Sequence, residues 1–123
     1  EVMAVINTVR DVWPKSKLIM VYQPHRYTRT AELFREFVSV LSLVDELILL
    51  DVYSAGEKKI AGATSLDLIK AIETRRDFKV KHARDIEDSI DILESVCRSD
   101  DILLIQGAGN VSLVSRAFSG QNF

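Results

Sequence analysis

Three short, uninterrupted apolar runs constrain this chain more than any other feature: Leu18-Ile19-Met20-Val21-Tyr22, Leu47-Ile48-Leu49-Leu50 and Ile102-Leu103-Leu104-Ile105. A strand with one wet face alternates apolar with polar residues, so a strand apolar at every position is covered on both faces. The intervening residues supply that cover. Val2, Ile6, Val9 and Trp13 form one helical stripe that Pro14 stops, and Leu33, Phe34, Phe37, Val38 and Leu41 form a second. Thr64-Ser65-Leu66-Asp67 has the spacing of a helix start and leads into Leu68, Ile69 and Ile72. Asp85 opens a further helix carrying Ile86, Ile90, Leu93 and Cys97 on one side, which makes Cys97 a core residue. A last helix is expected after Gly107-Ala108-Gly109, with Val111, Val114 and Phe118 on its stripe. Phe78-Lys79-Val80-Lys81 alternates apolar with charged, so it belongs at a sheet edge, where lysine discourages stray pairing. His82, just after it, reads as a surface residue.

The order αβαβαβαβα with right-handed crossovers predicts a doubly wound, Rossmann-like α/β fold. It has three αβα layers and a mainly parallel sheet, with strand order around 3-2-1-4. Residues 1–123 carry no repeat, low-complexity tract or linker and read as one domain. Sixteen Lys and Arg against eighteen Asp and Glu give a net charge of −2, which excludes a strongly basic nucleic-acid binder. The apolar runs fall far short of the ~20 residues of a membrane span. A single cysteine excludes an internal disulfide and a cysteine-based zinc cluster. With no signal segment at the start of the chain, a cytoplasmic location is expected, with neither nucleic acid nor membrane as partner.

The strand order selects a site before any motif is consulted. It makes the first and fourth strands neighbours, with connections expected to leave to opposite faces, and ligands of such sheets bind in the crevice there. The two loops are Gln23-Pro24-His25-Arg26-Tyr27-Thr28-Arg29 and Gln106-Gly107-Ala108-Gly109-Asn110. His25, Arg26 and Arg29 place two permanent cations and a titratable donor in one loop, and a guanidinium fork takes a carboxylate or phosphate through two hydrogen bonds. The first turn of the next helix is expected to add free N–H groups. Gly107-Ala108-Gly109 is either a phosphate approach or simply a tight turn; Ser112 in the third glycine position denies a dinucleotide fingerprint. The loop with Gly56, Glu57, Lys58, Lys59 and Gly62 reads as a solvated connection with its charges outward. The sequence contains no Ser-His-Asp set, metal-ligand spacing or pair of catalytic carboxylates, so no catalytic or metal residue is assigned.

The block Gln23-Pro24-His25-Arg26-Tyr27-Thr28-Arg29-Thr30 resembles the C-terminal domain of the Mur ligases, in the form found in UDP-N-acetylmuramate–L-alanine ligases. Asp51-Val52-Tyr53-Ser54-Ala55-Gly56-Glu57, Gly62-Ala63 and Gln106 to Asn110 match further blocks in order. The resemblance covers essentially the whole chain. It implies a bacterial enzyme of peptidoglycan and cell-wall synthesis with three domains: one for the UDP-sugar, a central ATPase and a C-terminal domain for the amino acid. The implied reaction joins L-alanine to UDP-N-acetylmuramate with ATP and Mg2+, through an acyl-phosphate. This chain has no G-x-x-x-x-G-K-[ST] loop, so the first two domains are expected outside it, no cofactor is expected in it alone, and the fragment is expected to be inactive.

By position, His25, Arg26 and Arg29 resemble the residues that recognise alanine and the product carboxylate. Tyr53 and Glu57 match the same family's loop, and Gly107, Ala108, Gly109 and Asn110 resemble an ATP-side or closure loop. Ser54 stands where the family often has proline, and Lys58-Lys59-Ile60-Ala61-Gly62 replaces a proline-richer stretch, so this loop is expected to be more mobile. A phosphoacceptor domain would need an acidic pair after the first strand and fails. A free-standing Rossmann-like nucleotide- or phosphate-binding regulatory module is the alternative.

Overall fold

A computed structural model describes residues 2–107 and the strand at 112–116. The elements run α1 (Val2–Val12), β1 (Leu18–Tyr22), α2 (Tyr27–Glu32), α3 (Phe34–Leu41), β2 (Glu46–Leu50), α4 (Ser65–Arg75), β3 (Lys81–Ala83), α5 (Ile86–Val96), β4 (Ile102–Gln106) and β5 (Ser112–Arg116). They form one sheet in the order β3-β2-β1-β4-β5. The first four strands are parallel, which bears out the doubly wound α/β fold and the order 3-2-1-4.

The apolar runs are the centre of this sheet, and their alternation sorts side chains between two cores. Leu18, Met20, Tyr22, Leu47, Leu49, Ile102 and Leu104 face one side, against Ile6 and Val9 of α1, Val38 and Leu41 of α3, and Leu68 and Ile72 of α4. Ile19, Val21, Ile48, Leu50 and Leu103 face the other, against Leu93 of α5, with Cys97 packed at the margin. Cys97, expected in the core on this helix, caps its end instead and is only partly buried, and that burial pushes its thiol up. Two helix starts follow their sequence signals. Thr64 and Asp67 make a reciprocal capping box at α4, and the Asp85 carboxylate accepts the Asp88 N–H at α5.

Three expectations need correction. The expected last helix is not formed: 112–116 is a strand, antiparallel to β4, with Ile102 opposite Arg116 and Gln106 opposite Ser112. Val114 therefore lies in β5, while Val111 and Phe118 lie outside the described residues. Its spacing suits a helix, but Val and Ser are indifferent helix formers, and the outer edge of β4 offers backbone groups that a strand satisfies. The connection leaving β4 thus turns back into the sheet instead of crossing to a helix.

The edge strand is shifted, to Lys81–Ala83, because the Val80 N–H is donated to the Glu73 carboxylate at 2.9 Å and the Phe78 N–H to the Arg76 carbonyl. His82 consequently sits within the strand, half-buried, instead of on the surface after it. Finally, the second helical stripe is interrupted at Leu33, which ends α2 and begins α3.

Asp45 ties the first helix to the sheet. Its Oδ2 accepts from Arg10 Nη1 at 2.9 Å and from the Leu18 N–H at 2.7 Å. Burial pushes this carboxyl up, but the bonds from Arg10 and Leu18, with the charges of Arg10 and Arg76, outweigh it and hold the group below its usual range. A folded-state value below the unfolded one gives stability that is complete well above a pH of about 3.9 and lost as pH falls through the folded value. Asp45→Asn should therefore cost about 1 kcal/mol at neutral pH, a solvent-screened charged hydrogen bond, and much less in acid. Denaturant titrations of both proteins across the carboxylate range would show the gap closing as pH falls.

Candidate functional site

Beyond the C-terminal ends of β1 and β4 the chain stays tightly stitched. The Gln23 N–H donates to the Gln106 carbonyl at 3.1 Å, prolonging the β1–β4 pairing. Gly107 lies so close that a Cβ there would meet the Gln23 Cβ at 3.2 Å, so a side chain at 107 would press the two loop bases apart. Ala108, Gly109 and Asn110 lie outside the described residues. On the other side, Gln23 Nε2 donates to the Asp51 carbonyl at 3.2 Å. Gln106, opposite Tyr22 in the register, keeps its Oε1 buried without a hydrogen-bond partner.

The β1–β2 ladder then resumes outside the strands. His25 bridges Tyr53 in parallel fashion: the Tyr53 N–H donates to the Pro24 carbonyl at 2.8 Å and the Arg26 N–H to the Tyr53 carbonyl at 2.7 Å. The His25 and Tyr53 rings lie 5.5 Å apart, tilted by 30°. Arg26, Tyr53 and Glu57, drawn from two loops, are thus brought together with His25.

Arg26 pays for its position with an unusual backbone. Its φ of 72° and ψ of 140° belong to a region that glycine occupies freely and L side chains rarely. Its carbonyl is clamped by both the N–H and the hydroxyl of Thr30, a side chain with no exposed surface. Such strain persists only where the surroundings enforce it, and it accumulates at functional sites. Arg26→Gly should be more stable than Arg26→Ala by about 1 kcal/mol, since only glycine relieves the strain and it carries its own entropic penalty. Equal melting of the two variants would mean the loop relaxes freely.

The first turn of α2 is not free for a ligand, contrary to the sequence expectation. Arg26, at the N-cap, has no side-chain acceptor to offer. Glu57 supplies one from the β2–α4 loop, its Oε1 accepting the Thr28 N–H at 3.0 Å and its Oε2 the Thr28 hydroxyl at 2.7 Å. These two bonds, then the Tyr27 N–H and the Arg26 charge, hold the Glu57 carboxyl below its usual range. The loop is therefore anchored at Tyr53 and Glu57 rather than solvated throughout; Lys58 and Lys59 do point outward.

Arg29 is exposed, one turn along α2, and its charge reaches the Tyr22 phenol. Burial drives that phenol up to about 12, and Arg29 pulls against the rise. Away from the arginines, His82 Nε2 lies 2.6 Å from Asp51 Oδ1. That pair clasps the short edge strand to the end of β2, a tertiary contact that the sequence did not signal. Among the described residues no three His, Cys, Asp or Glu side chains converge to hold a metal ion, and no helix is long and apolar enough to cross a membrane.

The fold is that of a doubly wound α/β domain, with a cationic loop stitched down beyond the C-terminal ends of β1 and β2. The chain belongs to the Mur ligase family: the family model described as "Mur ligase, glutamate ligase domain" matches residues 1–109. It is 46% identical over 116 residues to the UDP-N-acetylmuramate–L-alanine ligase of Methylococcus capsulatus (strain Bath). That alignment takes in 94% of this chain and 25% of the relative, so the chain spans about a quarter of the relative's length. The resemblance carried by the loop blocks is thereby borne out.

Proposed function

We propose that residues 1–123 form the C-terminal, amino-acid-binding domain of an ATP-dependent ligase that joins L-alanine to UDP-N-acetylmuramate in peptidoglycan synthesis, in the cytoplasm. The observation that carries this reading is the loop His25-Arg26-Arg29, held at the sheet's switch point by Tyr53 and Glu57, in a chain 46% identical to a ligase of that name. L-alanine offers a carboxylate, an amine and a methyl group. On this reading Arg26 and Arg29 take the carboxylate in their planar forks, and His25, backed by the Tyr53 ring, adds a hydrogen bond. Arginine stays protonated in proteins, so both residues bind and orient while neither moves a proton. With the carboxylate fixed, the amine is presented towards the rest of the enzyme.

ATP supplies the activation of the sugar's carboxyl group, with Mg2+ neutralising phosphate charge. On this reading the metal and most phosphate contacts come from the UDP-sugar and central ATPase domains that the family resemblance implies. By family position alone, the loop from Gly107 is assigned to the side that closes on ATP.

Phosphate release from ATP by the intact protein tests the proposal. Release should require both UDP-N-acetylmuramate and an amino acid, with L-alanine preferred, and the 123-residue chain alone should give none. Turnover by the chain alone, or nucleotide binding with no dependence on any amino acid, would favour a free-standing regulatory module instead.

A further inference from the structure

The arginine loop carries a fixed anion of its own. The turn at Ser54–Glu57 is built for presentation: Ala55 and Gly56 have φ of 51° and 88°, and the Glu57 N–H donates back to the Ser54 carbonyl at 3.0 Å. This aims the Glu57 side chain at Thr28, between Arg26 and Arg29 in sequence, where two hydrogen bonds hold both carboxylate oxygens. Against the Arg26 guanidinium, this immobilised carboxylate lowers the positive charge that the loop offers to a substrate. Lys58 and Lys59 are exposed, so solvent ions screen their charges.

We propose that Glu57 is a specificity-determining residue: its fixed charge beside Arg26 limits the site to amino acids with one carboxylate and turns away those with an acidic side chain. This rests on the amino-acid-binding reading above. The physical basis is repulsion between like charges near a protein surface, where a carboxylate held several ångströms away is worth about tenfold in affinity. Glu57 acts without touching the reacting atoms, and its bonds to Thr28 keep it from swinging away to relieve the repulsion.

The test uses L-aspartate and L-asparagine, which share size and differ in charge, as competitive inhibitors of L-alanine incorporation by the intact protein. Wild type should bind aspartate more weakly than asparagine. Glu57→Gln, which keeps the shape of the side chain, should strengthen aspartate relative to asparagine by about tenfold. Glu57→Asp, which keeps the charge, should preserve the wild-type preference. Aspartate inhibiting Glu57→Gln no better than wild type overturns the proposal, and so does an equal loss of preference in Glu57→Asp. Should Glu57→Gln not fold, added salt on wild type reads the same repulsion: screening should narrow the gap between the two inhibitors, and a gap indifferent to salt counts against the proposal. If wild type does not incorporate L-alanine at all, the binding reading itself has failed, which is a distinguishable outcome.

Discussion

Arg29→Lys in the intact protein should lose about 1.5–3 kcal/mol in kcat/KM for L-alanine, roughly a ten- to hundredfold drop. Lysine keeps the charge, so long-range attraction survives. What disappears is the planar fork that fixes a carboxylate through two parallel bonds. Arg26→Lys should behave alike, since the strained backbone and the clamp on its carbonyl fix where the side chain starts. In both variants the KM for ATP should change far less, because the lesion lies in the amino-acid site. Steady-state kinetics with each substrate varied in turn separates the two. A variant whose ATP KM rises while alanine is untouched would move these arginines to the nucleotide.

Leu49→Ala should destabilise the fold by about 2–5 kcal/mol, a large share of the roughly 5–15 kcal/mol that holds a domain together. Leu49 has no exposed surface, sits in β2 between Tyr22 and His82 in the register, and faces the larger core. The cavity it would leave is lined by strand neighbours that cannot move in without breaking the ladder. Leu66, 62% exposed at the start of α4, is the internal control, and its replacement by Ala should cost less than about 0.5 kcal/mol. Denaturant midpoints with an unchanged slope would confirm that the comparison reads stability alone.

The contrast between these residues explains what the sequence made legible. The central strands announce themselves because burial on both faces removes every polar position: β1 spans the predicted run, and β2 and β4 each extend theirs by one residue. The edges lack that signal. β3 is displaced because Glu73 captures the Val80 N–H, and β5 replaces a helix because pairing with β4 outweighs a weak local preference. Neither competitor is visible in local spacing. At the site, the arginine loop was readable from residue types and topology. Family position alone points to Glu57, and local composition reads its charge as outward, since a bond between two polar residues 29 positions apart leaves no periodic trace. The His82–Asp51 clasp escaped for the same reason.

The central claim, that the His25–Arg29 loop holds the carboxylate of the incoming amino acid, is tested most directly by titrating the nitrogen-labelled chain with L-alanine and following its amide resonances. So small a ligand, limited to about 1.5 kcal/mol per heavy atom even in the best cases, should bind this domain only at millimolar concentration. The account predicts shifts centred on residues 25–29, spreading to Tyr53 and Glu57 through the bonds that join the loops. Shifts that cluster elsewhere with residues 25–29 unmoved, or no shift anywhere, would contradict it.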